Sequence, residues 1–137
     1  MTILNDINDK DTITIFSIDL NKNLNSEFYQ KIKQSWIEQF PHNRIIIYDR
    51  DDEEVRECLD SEYCKKLLSW NCLNYACNLP RANILSKHDK YLYMDLDVWV
   101  YDGSFIEDLN ENTWFESYFN NRPANIYCLA YSGIGHS

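Results

Sequence analysis

Glycine and proline are scarce in this chain, with three of each in 137 residues. That scarcity excludes collagen-like and linker-rich architectures, which need those residues in bulk. No C-x-x-C pair occurs among the five cysteines, Cys58, Cys64, Cys72, Cys77 and Cys128. Zinc-site spacing is therefore missing, and an odd number leaves no complete disulfide set. Reduced, partly buried thiols in a cytosol-like compartment are the expectation. Basic residues are also in deficit, since 13 Lys and Arg face 22 Asp and Glu for a net charge of −9. With a pI near 4.7, the chain lacks the basic face that nucleic-acid binding wants. An anionic small substrate is not excluded, because a metal and one or two cations can supply a local positive field. Long apolar runs are absent too. None approaches the roughly 20 residues that cross a bilayer. The opening MTILNDINDKD has neither the basic nor the apolar region of a signal peptide. A cytoplasmic protein with no membrane span is expected.

What is present describes a folded α/β domain. Hydrophobic residues make up 45% of the chain and aromatics 15%, enough for one real core but not two. Residues 1–137 are expected to form one domain, with 1–11 as a flexible polar lead. Thr12 to Ile18 (TITIFSI) reads as a strand, β-branched and mostly apolar. Ser26 can cap a helix from Glu27 to Phe40, in which Phe28, Ile32, Trp36 and Phe40, with Ile37 beside them, form one apolar stripe. Pro41 stops it. Arg44 to Tyr48 (RIIIY) reads as a second strand. The acids of DRDDEE, Asp49 to Glu54, then open a helical region, where they suit the positive end of a helix dipole. Val55 to Cys77 reads as helix in two pieces around Asp60-Ser61. Asn78 can cap a further helix from Leu79 to Lys87. Ser104 to Phe119 reads as helix or turn-plus-helix, and Asn125 to Tyr131 as a last strand. Strands alternating with helices imply a mostly parallel central sheet flanked by helices. Trp36, Trp70 and Trp99 are assigned to the core, and His42 and His88 carry no readable signal.

The chain is organised around KYLYMDLDVWVYDG, Lys90 to Gly103. Tyr91 to Met94 read as a buried strand running into two carboxylates, Asp95 and Asp97, before apolar character resumes at Val98-Trp99-Val100. Acids at the end of a greasy strand are costly to desolvate and contribute nothing to packing. Hard oxygen ligands in such a place suit Mg²⁺ or Mn²⁺ and, through it, a substrate phosphate. A lone D-x-D triplet is weak evidence, and two others occur, Asp9/Asp11 and Asp49/Asp51. The first lies in the polar lead and the second merges into the acidic helix start, so solvation and the helix dipole account for them. Only Asp95/Asp97 has apolar residues before, between and after its acids. A salt-bridged strand end is the bland alternative for that pair.

These residues carry a family resemblance. YLYMDLDV resembles the metal strand of the glycosyltransferases of the GT-A fold, and above all of those with a DXD-containing sugar-binding region, such as the yeast initiation-specific α-1,6-mannosyltransferases. SWIEQFPHNRIIIYDRDD (Ser35 to Asp52), NYACNLPRANIL (Asn74 to Leu85) and NIYCLAYSGIGHS are similar to other stretches of that family. KYLYMDLDVWVYDG also resembles the glycogenin-like transferases. Where the family carries two glycines before the metal strand, this chain has Lys90 and Tyr91. Where it carries the acid of a D-x-x-R element, this chain has Asn78, with Arg81 kept.

The resemblance implies a Rossmann-like GT-A domain and a retaining, metal-dependent transferase. Its donor would be a UDP- or GDP-sugar, and its acceptor a glycan, protein or small molecule. Asp97 would ligate Mn²⁺ or Mg²⁺, and Asp95 would bind the metal, a metal-bound water or the ribose. Arg81 would reach the sugar or diphosphate, Asn78 a sugar hydroxyl, and His136 would add a metal ligand. Each has a plainer reading: exposed helix arginine, helix cap and free terminal histidine. Transferases of this fold continue further, so a chain ending at Ser137 also implies a second possibility, a truncated, non-catalytic sugar-nucleotide or glycan-binding relative. A haloacid-dehalogenase-like phosphatase also ends a strand in D-x-D. It ranks last, because Trp99 stands where that pattern wants Thr or Val and no Lys follows Gly103.

Overall fold

Three β-branched or aromatic segments pair in parallel to make the centre of the molecule. In the computed structural model, which describes residues 1–9, 11–108 and 130–132, these are β2 (Thr14–Ile18), β3 (Ile45–Tyr48) and β4 (Tyr91–Tyr93). Ile15 lies beside Ile45 on one side, and Thr14 beside Tyr91 on the other. Two antiparallel edge strands complete an open sheet of order β1-β3-β2-β4-β5, β1 being Thr2–Asn5 and β5 Ala130–Ser132.

Side chains alternate across this sheet with the period of two that strand geometry demands. Phe16, Ile18, Ile46, Tyr48, Tyr91 and Tyr93 feed one core, while Ile15, Ile45, Ile47, Leu92 and Met94 feed the other. Both faces are covered. Helix α1 (Glu27–Gln39) lays Ile32 and Trp36 on the second face, with Phe40 just beyond its end. Helices α2 (Glu53–Leu59), α3 (Glu62–Ser69), α4 (Leu73–Ala76) and α5 (Asn78–Lys87) lay Val55, Leu59, Cys64, Ala76 and Ile84 on the first. Burying each such side chain contributes roughly 1.5–3 kcal/mol. A layered α/β sheet is therefore present, with its parallel strands confined to the middle three.

Local chemistry sets the helix ends. Ser26 Oγ accepts from the Tyr29 N–H at 3.3 Å and Ser61 Oγ from the Cys64 N–H at 3.2 Å. Helix α3 closes with Asn71 in the left-handed region at φ 58°. The Cys72 N–H reaches Leu67 O at 2.8 Å and the Asn71 N–H reaches Leu68 O at 3.0 Å, the paired bonds of a Schellman end.

Several expectations need correction. Residues 2–5 of the polar lead are not loose. They supply β1, and the Asn5 side-chain amide donates to the carbonyls of Phe40, Pro41 and Asn43, the last at 2.9 Å. The helical region after Val55 breaks twice, the second time at the α3 end. Trp70 and Trp99 are not core residues, being 66% and 45% exposed. Phe28 leaves the apolar stripe and is exposed to solvent. Asn78 does not cap α5. Cys77 holds that position with helical backbone angles, since α4 runs into α5 without an extended residue between them. His136, residues 109–119 of the expected Ser104 helix and residues 125–129 of the expected last strand lie outside the described residues. No helix among the described residues is long and apolar enough to cross a membrane.

Candidate functional site at the carboxyl ends of the parallel strands

From β2 the chain passes to β3 on one side, then returns across β2 to β4 on the other. The two crossovers diverge at the carboxyl ends of β2 and β4, which makes that edge the topological switch point of the sheet. Asp19 directly follows β2, and Asp95 and Asp97 lie just past β4. The expected acid pair therefore lies at the carboxyl-end edge of the parallel strands.

The pair sits on a turn rather than a continuing strand. The Val98 N–H donates to Asp95 O at 3.1 Å, which closes Asp95-Leu96-Asp97-Val98. Asp95 is half-buried and Asp97 exposed. The Tyr93 hydroxyl donates to Asp95 Oδ1 at 2.7 Å. Burial, reinforced by the Asp95 charge, pushes the Tyr93 phenol far above its ordinary range, so it stays a donor.

The two carboxylates meet different neighbours. On the α5 side, the Arg81 guanidinium lies 5.1 Å from the Tyr93 ring centre and donates to Asn78 Oδ1 at 2.9 Å. Asn78 thus orients Arg81. Burial pushes the Cys77 thiol up to about 11, with Asp95 adding to the rise and Arg81 and Arg50 opposing it. Asp95, Arg81 and Arg50 accordingly act on one locality. On the α1 side, Asp97 and Asp19 exert their field on Lys33. Asp19 is itself buried and accepts from the N–H groups of Asn23 and Leu24 at 2.9 and 3.0 Å.

Lys33, Asp19 and Arg50 carried no signal in the sequence reading. Arg50 stands inside an acidic run, yet its Nε–H donates to Leu20 O at 2.6 Å, which ties it to the loop after β2. The other D-x-D triplets serve local turns. Asp9 Oδ1 accepts from the Asp11 N–H, and Asp49 Oδ1 from the Asp51 N–H. Asp49 also pairs with the terminal ammonium at 2.7 Å. His88, unread in sequence, stacks on Tyr91 at 4.3 Å and meets Glu54 at 3.1 Å, away from the acid pair.

Among the described residues, no group of three or more His, Cys, Asp and Glu side chains could hold a metal. Two carboxylates are too few for a resident Ca²⁺ or Zn²⁺ site. They do suit Mg²⁺ or Mn²⁺, which take one or two carboxylates and complete their coordination with phosphate and water.

Comparison with protein-family models, with curated proteins and with solved structures returns no match for this chain.

Proposed function

We propose that this protein is a glycosyltransferase of GT-A type, with a Rossmann-like nucleotide-binding sheet, that uses a nucleoside-diphosphate sugar with Mn²⁺ or Mg²⁺. One observation carries the reading. The acid pair at the end of β4 lies where the two crossovers diverge, with Arg81 over Tyr93 on its α5 side and Arg50 tied to the loop after β2. That edge offers hard oxygen ligands and fixed positive charge together, which a diphosphate requires.

Each residue then has a task. Asp97, exposed at the turn, presents its carboxylate outward for a divalent ion. Asp95, with Oδ1 held by Tyr93, is oriented for a ribose hydroxyl or a metal-bound water. Arg81, steadied by Asn78 and by the Tyr93 ring, directs its guanidinium charge at the phosphates. Asn78 acts on substrate through Arg81, which its Oδ1 orients. Asp97, with Asp95, would hold the divalent ion, which would supply positive charge against the leaving diphosphate. The protein's remaining contribution is positioning of donor and acceptor.

The test is release of UDP or GDP from a panel of sugar nucleotides, with and without Mn²⁺. Metal-dependent release by the parent, lost in Asp97→Asn, is the expected result. Metal-dependent binding with no release under any acceptor condition would instead identify a binding protein that shares the donor site.

A further inference from the structure

The segment after β4, from Leu96 to Gly103, pairs with no described strand, yet its backbone is not left without partners. Side chains of α1 take the place of a neighbouring strand. Lys33 Nζ donates to Leu96 O at 2.6 Å and Trp36 Nε1 to Val98 O at 2.6 Å. The Val100 N–H donates to Ser35 Oγ at 3.2 Å and the Gly103 N–H to Gln39 Oε1 at 3.1 Å. Lys33, Trp36 and Gln39 follow one another at three-residue spacing along α1, with Ser35 beside Trp36, so the contacts run along the segment in the order Leu96, Val98, Val100 and Gly103. The result is a fixed alternation, with Leu96, Val98 and Val100 turned toward α1 and Asp97, Trp99 and Tyr101 exposed. Slipping the segment by one residue would bury Asp97.

Lys33 is the costly member of this row. It is 1% exposed, its ammonium lies 3.4 Å from the Trp36 ring centre, and Asp97 and Asp19 are the charges that act on it. An apolar side chain of the same length would fill that space without the penalty of burying an ammonium. A lysine there calls for a reason other than packing, and its hydrogen bond among the described residues goes to the carbonyl between the two acids.

We infer that Lys33 is a positioning residue that holds the Asp95–Val98 turn in the form that presents Asp97 outward. This rests on the proposed donor site for its functional consequence, but not for its structural content. Lys33 grips the Leu96 carbonyl, Trp36 grips the Val98 carbonyl, and Asp97 between them has no choice of face.

The experiment compares Lys33→Met and Lys33→Gln with the parent by amide hydrogen exchange, without metal or nucleotide. The Val98 amide, which closes the turn, is read against the Met94 amide, which donates to Phe16 O at 3.0 Å in the sheet. The expected result is at least tenfold faster exchange at Val98, unchanged exchange at Met94, and a Lys33→Met melting temperature at or above the parent's. Unchanged Val98 exchange in either folded variant overturns the inference, as does failure of both to fold, since Lys33 would then be structural. A second readout is Mn²⁺·UDP affinity, expected to fall at least tenfold in Lys33→Met. If the parent itself binds no Mn²⁺·UDP or Mn²⁺·GDP, the donor-site reading fails while the exchange result still decides the role of Lys33.

Discussion

Tyr93 donates its hydroxyl proton to Asp95 Oδ1 at 2.7 Å, and the two residues are only two positions apart. One carboxylate of the acid pair is thereby anchored to the last residue of a buried strand, while the other is exposed at the turn. This asymmetry separates structural from functional effects within a single D-x-D triplet.

Tyr93→Phe removes the donor and keeps the ring against Phe16 and Arg81. A partly solvated hydrogen bond to a carboxylate is worth about 1 kcal/mol in stability. Urea denaturation should show a loss of that size, with a severalfold weaker nucleotide affinity. A variant as stable and as tight-binding as the parent would mean that the bond orients nothing.

Asp97→Asn should leave stability within about 0.5 kcal/mol, the usual range for exposed substitutions away from packed features. Metal-dependent nucleotide binding should be lost all the same. A large destabilisation, measured by the same denaturation, would show instead that Asp97 is held in an ion pair for the fold's sake.

Lys90 takes φ 55°, a left-handed backbone that an L side chain resists and glycine does not. It stands where the resembled family carries a glycine. Lys90→Gly should stabilise the protein by on the order of 1 kcal/mol, seen as a higher urea midpoint at unchanged slope. A lower midpoint would show that the Lys90 side chain contributes more than its backbone costs.

Gly103 is the contrary case. A Cβ there would lie 2.6 Å from Gln39 O and 2.8 Å from a Phe40 ring carbon, where the segment meets the end of α1. Gly103→Ala should destabilise by about 1–3 kcal/mol, because a backbone carbonyl cannot step aside as a flexible side chain can. A neutral effect on the melting temperature would show that the segment end is loosely docked.

Burial lowers the Lys33 ammonium from its ordinary value of 10.5 to about 7, against the opposing pull of Asp97 and Asp19. Between pH 7 and 10.5 the unfolded chain therefore binds more protons at this residue than the folded one. Stability from this group rises as pH rises through that window. Cysteines and tyrosines with raised values act in the opposite sense above pH 9, so the comparison belongs below that. From pH 7 to 8.5 the parent should gain on the order of 1–2 kcal/mol relative to Lys33→Met. Parallel pH profiles for the two proteins would refute the low value.

Much of this fold was legible because its signals are local. The Ser26 cap, the Ile32–Trp36–Phe40 stripe, the RIIIY strand and the pause at Asp60-Ser61 all come from spacing within a few residues, and each occurs. What escaped depends on distant partners. TILN at residues 2–5 is too short and polar to announce a strand, and it becomes one only beside β3. Lys33 has the sequence character of a solvated helix position, and only the arrival of Leu96, 63 residues later, buries it. Trp99 carries the hydrophobicity of a core residue, but the docking of its neighbours on α1 turns it outward. At the site, the strand-end position of Asp95 and Asp97 was readable from apolar residues on both sides. Arg50 and the Tyr93 anchor were not, because nothing local distinguishes an arginine among acids or a tyrosine in an aromatic strand.

The most direct test is a thermal-shift titration of the parent, Asp95→Ala and Asp97→Ala with UDP, GDP and their sugars, each with and without Mn²⁺. The parent should show a rise in melting temperature that needs nucleotide and metal together, and both variants should lose it. A rise of equal size in all three proteins, or none in the parent with any nucleotide, would contradict the account.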